Sequence, residues 1–271
     1  MDKIFKLTNK YIILATPLIL FSLISNLYFA FSAQGKLLNL LIALFLILLM
    51  TGAFIAGWFN MIKKIVCDPE KENQNTLMSE FSSGVGEFFI PSTCAIVIFL
   101  AVTALFLTAT YHIGQHSIGN IGISAEAFSK AVETPEALKS FMLSLSNEQI
   151  IKMNQWNLLL MTGLVIPNFI TIFYFPTLFF KTKNPILALL ISIKDLFCKK
   201  FFTTLGIGFL IFITYFVLSI LMAIFTGNVI LHFLITLANF YFITVVGVGI
   251  FYYYHTNFIS SQLGQNIDVE I

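Results

Sequence analysis

Apolar side chains fill six long stretches of this sequence, and polar residues lie mainly in the segments between them. Each stretch has about the 17–25 residues that a helix needs to cross the hydrocarbon core of a bilayer. The apolar residues do not alternate with polar ones, as they do in the strands of membrane barrels. The pattern therefore predicts an all-α fold, a polytopic transmembrane helix bundle of about six spans forming one transmembrane domain over residues 1–271. The six spans are Tyr11–Ala33, Leu37–Met61, Phe89–Tyr111, Trp156–Phe180, Phe201–Phe225 and Val229–Tyr253.

The composition agrees with burial in lipid. Hydrophobic residues make up 58% of the 271 residues, charged residues 10%, and the mean hydropathy is +0.91. Soluble domains carry about 25% charged residues. Every basic residue is Lys, and there is no Arg. Because Arg is preferred for bidentate capture of phosphate, this argues against a nucleic-acid partner, although a genome rich in A and T would also explain it.

The Lys residues indicate an orientation, because cytoplasmic loops of membrane proteins carry an excess of positive charge. With the N-terminus inside, most Lys residues fall in cytoplasmic segments and both termini are predicted to be cytoplasmic. The cytoplasmic set is Lys3, Lys6, Lys10, Lys63, Lys64, Lys71, Lys181, Lys183, Lys194, Lys199 and Lys200, and the outer set is Lys36, Lys130, Lys139 and Lys152.

Two segments before predicted spans have the pattern of interfacial helices. Residues 181–200 carry apolar side chains at helical spacing between Lys residues, which predicts an amphipathic helix at the cytoplasmic headgroups. The alternative is a simple extension of the fifth span. Residues 77–89 occupy a similar position before the third span, so the two halves suggest a weak parallel repeat. The Lys residues predicted to lie at the interface are Lys183, Lys194, Lys199 and Lys200.

The predicted outer loop, residues 112–155, carries signals of its own helices. Thr134 followed by Pro135 is typical of a helix start, and Ser146 to Gln149 fits a capping box. Apolar side chains between these two signals fall on one helical stripe. The stripe predicts a short helix that covers the bundle or lies on the outer leaflet. Its members are Leu138, Phe141, Met142 and Leu145.

No Asp, Glu or Lys falls in the core of any predicted span, and intramembrane charges usually mark function. This argues against a proton-coupled transporter or an intramembrane protease, and we expect no enzyme, no catalytic residue and no cofactor. His112 and His116 are spaced so that one helical face presents both. Since no third ligand follows at helical spacing, interfacial polar residues are the favoured interpretation and no metal site is predicted.

Five residues within the spans are candidate ligand-binding residues. Pro167 and Pro176 remove backbone donors from the fourth span, and Asn168 stands beside the first. His232 and Asn239 are polar residues of the sixth span. Kinks and interhelical hydrogen bonds are the structural explanation for these same residues. Four glycines of the last two spans are expected to allow close helix packing, namely Gly206, Gly208, Gly247 and Gly249.

The fourth and fifth spans carry a recognisable pattern, FYFPTLFF at 173–180 and KNPILALLISIKDLFCKKFFTTLGI at 183–207. This resembles bacterial six-helix polytopic membrane proteins of unknown function, relatives of the membrane domain of glycerophosphoryl diester phosphodiesterases. The resemblance implies six helices, cytoplasmic interfacial elements and a bacterial cytoplasmic (inner) membrane. The phosphodiesterase of those relatives is a separate soluble domain, so no hydrolase is implied. The resemblance rests on Pro176, Asn184-Pro185, Ala188, Ser192 and Lys200-Phe201.

These observations favour a non-enzymatic integral membrane protein that binds or handles lipid or another apolar ligand, or supports a membrane assembly. The alternative is a transporter or permease subunit for a small neutral or amphiphilic solute. The expected partners are the lipid bilayer and either a second copy of the chain or another membrane protein. An intramembrane enzyme is the third possibility, disfavoured by the missing ionisable groups.

Overall fold

The computed structural model describes residues 2–32, 37–70 and 74–260, and every element in these ranges is helical. The all-α prediction is confirmed. A 3-10 turn at Ile12–Leu14 separates α1 from α2, and a π turn at His255–Ile259 follows α11. The helices are α1 Asp2–Lys10, α2 Ala15–Ser32, α3 Leu37–Cys67, α4 Gln74–Ser117, α5 Ala125–Ala131, α6 Pro135–Ser144, α7 Asn147–Ile170, α8 Tyr174–Phe180, α9 Pro185–Lys199, α10 Phe201–Ile224 and α11 Val229–Tyr254.

Five helical segments in the described ranges are long and apolar enough to cross a membrane, as in a multi-pass membrane protein. A sixth is added if α1 and the helix after it count as one broken span, with a bend of 77° between them. The prediction of about six spans therefore agrees with the structure. The five segments are Leu41–Cys67, Thr76–Ser117, Asn147–Phe180, Phe201–Ile224 and Val229–Ile259.

Helix α1 was not predicted, because its three Lys residues resemble an ordinary flank of the first span. The chain leaves helical geometry at Tyr11, which has φ −117° and ψ 48°. Side chains at the C-terminal end of α1 hold it to the turn after α3 and to α11. The Lys10 Nζ and the Tyr11 hydroxyl each donate to the Pro69 carbonyl at 2.7 Å. The Tyr241 hydroxyl of α11 donates to Asn9 Oδ1 at 2.6 Å.

The prediction of a separate interfacial helix at 77–89 is wrong, because α4 continues through this segment without a break. Gly84 does not interrupt the helix because it packs against α3. A Cβ at Gly84 would stand 2.6 Å from the Ala56 carbonyl oxygen and 3.1 Å from the Gly57 Cα. Pro91 also lies inside α4. One of the two elements of the suggested repeat is therefore absent.

The contacts group the described residues into two compact units, one within 1–98 and 170–271 and the other within 99–169. The prediction of a single domain over 1–271 stays a prediction. In the first unit, aromatic rings join α3, α8 and α11. Phe59 contacts Phe179 at 5.9 Å and Phe251 at 5.0 Å between ring centroids. The indole of Trp58 donates to the Leu14 carbonyl at 2.8 Å and fastens α3 to the start of α2.

The fourth predicted span is broken between its two prolines. Helix α7 ends at Ile170, a turn covers Thr171 to Phe173, and α8 then begins at Tyr174. The Tyr174 amide donates to the Thr171 carbonyl at 2.8 Å across this turn. Pro167 stays inside α7 and Pro176 lies in the first turn of α8. A proline at the start of a helix lacks only an amide that would have no helical partner.

The second unit contains the predicted outer-loop helices. Thr134 caps α6, because its Oγ1 accepts from the Ala137 amide at 3.1 Å. Ser146 and Gln149 form the predicted capping box at the start of α7, with reciprocal bonds of 3.0 and 3.2 Å. These signals are confirmed. The predicted apolar stripe of α6 remains partly exposed. Helix α5 was not predicted, and its Phe128 ring contacts Phe141 of α6 at 6.3 Å.

Candidate ligand-binding groove

A groove of about 490 Å³ lies between α1, α10 and α11 in the first unit. Its walls are almost entirely apolar. They come from Ile4 and Phe5 of α1, from α10 between Thr203 and Thr214, from α11 between Tyr241 and Tyr253, and from Ile172 and Phe173. Ligand pockets in proteins have volumes of about 300–1,000 Å³ and mainly apolar linings. The groove therefore has the size and chemistry of a site for a small apolar or amphipathic molecule.

Gly206 of α10 lines the groove, and a Cβ built there would meet no atom within 4 Å. The sequence prediction that Gly206 allows close packing is therefore wrong, because no neighbouring helix approaches that position. The same prediction holds for Gly247, whose Cβ would stand 3.1 Å from the Trp58 ring and 3.2 Å from Ile62. Sequence alone does not distinguish these cases, since both glycines stand in apolar helices.

Two residues that line the groove carry hydroxyl groups whose oxygen atoms are themselves buried. Thr204 of α10 is only 1% exposed, and its hydroxyl has no hydrogen-bond partner among the described residues. The hydroxyl of Tyr253 in α11 is also buried and has no partner in this part of the chain. A buried hydroxyl without a partner costs about 1–3 kcal/mol.

Two Lys residues are close in sequence to residues that line the groove. Lys3 precedes the lining residue Ile4, and Lys200 lies one turn before Thr204. Both Lys side chains are exposed. Lys6 pairs with Asp2 at 2.8 Å within α1, and both side chains of this pair are exposed. No Asp or Glu is among the described residues that line the groove.

None of the five predicted ligand-binding residues is among the described residues lining this groove. Pro167 and Asn168 lie in the second unit, and Pro176 lies in the first. Asn168 is exposed, and its Nδ2 donates to the Leu164 carbonyl of its own helix at 2.8 Å. That bond is within one helix, whereas the sequence suggested a bond between helices. A ligand-binding role for these three residues stays a prediction.

His232 and Asn239 lie two turns apart in α11, also in the first unit. The His232 Nδ1 and the Asn239 Oδ1 are buried and have no hydrogen-bond partner among the described residues. Buried polar atoms are usually paired. These two atoms therefore mark a place that an unidentified polar group would suit. Their predicted role in ligand binding also stays a prediction.

The predicted amphipathic helix at 181–200 is present as α9. Asn184 caps it, because its Oδ1 accepts from the Ile186 and Leu187 amides at 3.0 and 3.2 Å. At Lys200 the backbone leaves helical geometry, with φ −144° and ψ 28°, before α10 begins. Helix α9 is therefore a helix of its own and no simple extension of the fifth span.

The four predicted interfacial Lys residues have different surroundings. Lys183 pairs with Glu87 of α4 at 3.0 Å. Lys194 and Lys200 are exposed. The side chain of Lys199 lies outside the described part of the structure, as do residues Lys36 and Lys71. Contact of these Lys residues with lipid headgroups stays a prediction.

A polar cluster joins α8, α9 and α11, and the sequence did not indicate it. Asp195 of α9 pairs with the Lys181 Nζ at 2.8 Å, and their side chains are only 12% and 16% exposed. The Tyr254 hydroxyl donates to the same Asp195 oxygen at 2.7 Å and accepts from the Thr177 hydroxyl at 2.9 Å. Since every member has a partner, this cluster fastens α9 to the bundle.

Metal ligands are not gathered anywhere in the described ranges, because no three His, Cys, Asp or Glu residues stand close enough to hold an ion. His112 and His116 both lie on α4, which continues to Ser117, and both side chains are exposed.

The fold defines a class, that of helical proteins with five or six segments able to cross a membrane. No family model, no curated protein and no solved structure matches this chain. The resemblance to the bacterial six-helix proteins therefore stays a prediction.

Proposed function

We propose that this protein is a non-enzymatic integral membrane protein that binds a lipid-like molecule in the groove between α1, α10 and α11. The observation that carries this proposal is the groove of about 490 Å³ with its almost entirely apolar walls. The apolar walls suit a hydrocarbon chain.

The exposed surface of α10 supports entry of a lipid chain from the bilayer into the groove. None of the residues in the most apolar part of Phe201–Ile224 is buried within the chain. In a membrane such a surface contacts lipid tails, because no protein segment covers it. A lipid chain can therefore reach the groove from the side without crossing water, which would otherwise cost roughly 0.8 kcal/mol for each exposed methylene.

Photo-crosslinking tests this proposal. The purified protein in phosphatidylcholine nanodiscs is mixed with the methyl ester of a fatty acid that carries a diazirine in its chain. We expect labelled peptides from 203–214 and 241–253, identified by mass spectrometry. Gly206→Leu should abolish this labelling, because the new side chain enters open space in the groove.

Gly86→Leu is the matched control. Gly86 is also a helical glycine, it is exposed, and its Cβ would meet no atom within 4 Å, but it does not line the groove. We expect wild-type labelling in this variant. Labelling spread evenly over the exposed apolar faces, and unchanged by Gly206→Leu, would refute the proposal.

A second candidate is a transporter or permease subunit for a small neutral or amphiphilic solute. It is favoured by the buried, unpartnered polar atoms of His232 and Asn239 on α11. Single cysteines along α11, introduced into a cysteine-free chain, test it with a membrane-impermeant thiol reagent. Labelling at and beyond position 239 would indicate an aqueous path. Labelling near Val229 alone would exclude one along this helix.

A further inference from the structure

We propose that the ligand of the groove is an extended hydrocarbon chain of a lipid from the leaflet on the α9 side, which lies along α10 and α11 with its headgroup end near Thr203. This inference rests on the proposed function and adds the length, the depth and the direction of the ligand. Three features of the groove lead to it. They are the places where its two long walls begin and end, the length of these walls, and the side on which the groove is open.

The two long walls of the groove cover the same depth. Helices α10 and α11 are joined by the short turn at 225–228, and helices joined in this way run in opposite directions side by side. The α10 wall extends from Thr203 to Thr214, and the α11 wall extends from Tyr241 to Tyr253. Each wall therefore occupies the half of its helix that lies away from the turn, and it stops near the middle of that helix.

The length of the walls matches one leaflet of a bilayer. With a helical rise of 1.5 Å per residue, the walls extend over about 16–18 Å. The hydrocarbon core of a bilayer is about 30 Å thick, so each leaflet contributes about 15 Å. An extended chain advances by about 1.2 Å per bond, so the groove is as long as a chain of about 14 carbons. A groove that crossed both leaflets would need walls about twice as long.

The position of the groove along the spans gives the ligand its direction. Thr203 lies next to Phe201, where the segment able to cross a membrane begins. Thr214 lies near the middle of this segment, at the depth where two leaflets meet. A lipid of the leaflet on the α9 side has its headgroup end at the first level and its terminal methyl group at the second. The predicted orientation makes this the cytoplasmic leaflet.

The groove is open towards the surface that contacts lipid tails. Leu210 of α10 and Phe5 of α1 both line the groove, and they are nevertheless 48% and 43% exposed. On α1, Ile4 packs beside Gly249 of α11, with side-chain atoms 3.7 Å from where a Cβ would stand. Apolar surface therefore continues from the exposed face of α10 into the groove. A chain of a neighbouring lipid can occupy the groove while its headgroup stays at the membrane surface.

Two probes that differ only in the position of the diazirine test the direction of the chain. Each is the methyl ester of a fatty acid of about 14 carbons, with the diazirine beside the ester in one and near the terminal methyl in the other. In phosphatidylcholine nanodiscs, we expect the first probe to label 203–207 and 249–253, and the second to label 210–214 and 241–246. Fragmentation of the labelled peptides in a mass spectrometer distinguishes these positions. Gly206→Leu should abolish both patterns, because its side chain enters the groove.

A variant that shortens the groove tests its length. Val245 belongs to the deeper part of the α11 wall, so Val245→Phe should block that part alone. We expect labelling by the probe with the terminal diazirine to fall at least about fivefold, because the larger side chain overfills the space. A probe of about eight carbons, with the diazirine beside its ester, should still label 203–207. Val217→Phe is the matched control, because Val217 is an exposed residue of α10 that does not line the groove, and its labelling should equal that of the wild type.

The outcomes separate this inference from the proposed function. Labelling that Gly206→Leu abolishes, but that has the same pattern for both diazirine positions or the reverse order, would overturn the inference and leave the proposed function standing. In a folded Val245→Phe variant, equal labelling losses for the long and the short probe, or no loss for either, would also overturn it. If no probe labels the groove, the proposed function and this inference fail together.

Discussion

The hydroxyl of Tyr254 donates a hydrogen bond of 2.7 Å to the carboxylate of Asp195 and joins the end of α11 to α9. Lys181 holds the same carboxylate at 2.8 Å, and its ammonium also lies 5.3 Å from the centre of the Tyr254 ring. Helix α9 leads directly into α10, which carries one wall of the groove. The cluster therefore fixes the starting point of that wall.

We expect Tyr254→Phe to lower the free energy of unfolding by about 1.5–3 kcal/mol, because it removes a hydrogen bond to a charged group. The ring and its packing remain, so the loss reports the hydroxyl. Thermal unfolding of the protein in a mild detergent measures it.

Tyr252→Phe is the control for that substitution, since the Tyr252 hydroxyl makes no hydrogen bond within the described ranges. Its stability should stay within about 0.5 kcal/mol of the wild type, as is usual for substitutions away from specific interactions. Equal stability of the two variants would show that the Tyr254–Asp195 bond contributes nothing.

Unchanged or increased stability is expected when two other buried hydroxyls are removed. Tyr253→Phe and Thr204→Val each remove a buried hydroxyl that has no partner in the described structure. The ligand-free protein should therefore be as stable as the wild type, or more stable by up to about 1–3 kcal/mol, the cost of such a group. Thermal unfolding after delipidation measures this, and a loss of stability in both variants would mean that these hydroxyls have partners.

Close packing of α3 against α4 leads to the next prediction. Gly84→Ala should lower the free energy of unfolding by about 1–3 kcal/mol, because the new methyl group overpacks the contact with the Ala56 carbonyl and Gly57. Gly86→Ala, with open space around its Cβ, should cause no loss and gain helix propensity of up to about 1 kcal/mol. Unfolding in detergent compares the two, and equal losses would contradict this packing.

The predicted orientation can be tested with two exposed Lys residues. In a cysteine-free chain, Lys130→Cys should react with an impermeant maleimide on intact cells, because residues 112–155 are predicted to lie outside. Lys194→Cys in α9 should react only after the membrane is opened. The reverse pattern would invert the orientation, and labelling of both on intact cells would contradict the single span predicted between them.

The helix boundaries set by local chemistry were predictable from sequence. Thr134, Ser146 and Gln149 form their caps from residues within one turn, so short-range pattern was sufficient. The continuous apolar spans were predictable for the same reason. Helix α1 was missed, because its bend at Tyr11 depends on a contact with Pro69, distant in sequence.

The groove was not predictable from sequence, because the sequence does not show which glycine of an apolar helix faces open space and which packs against a neighbour. Gly206 and Gly247 look alike in sequence, yet only Gly247 has an aromatic ring beside it. Likewise, Asp195 stands among Lys residues that resembled a headgroup contact, and only the folded chain brings Tyr254 to it. The five residues chosen from sequence were conspicuous as prolines and polar residues, whereas the groove is marked by ordinary threonine, tyrosine and glycine side chains.

Native mass spectrometry of the protein released from mild detergent shows whether the groove carries a lipid-like molecule from the cell. We expect a retained adduct of lipid-like mass on the wild type and on Gly86→Leu, and its loss from Gly206→Leu. A folded Gly206→Leu variant that keeps the same adduct in the same amount would contradict the groove as the binding site.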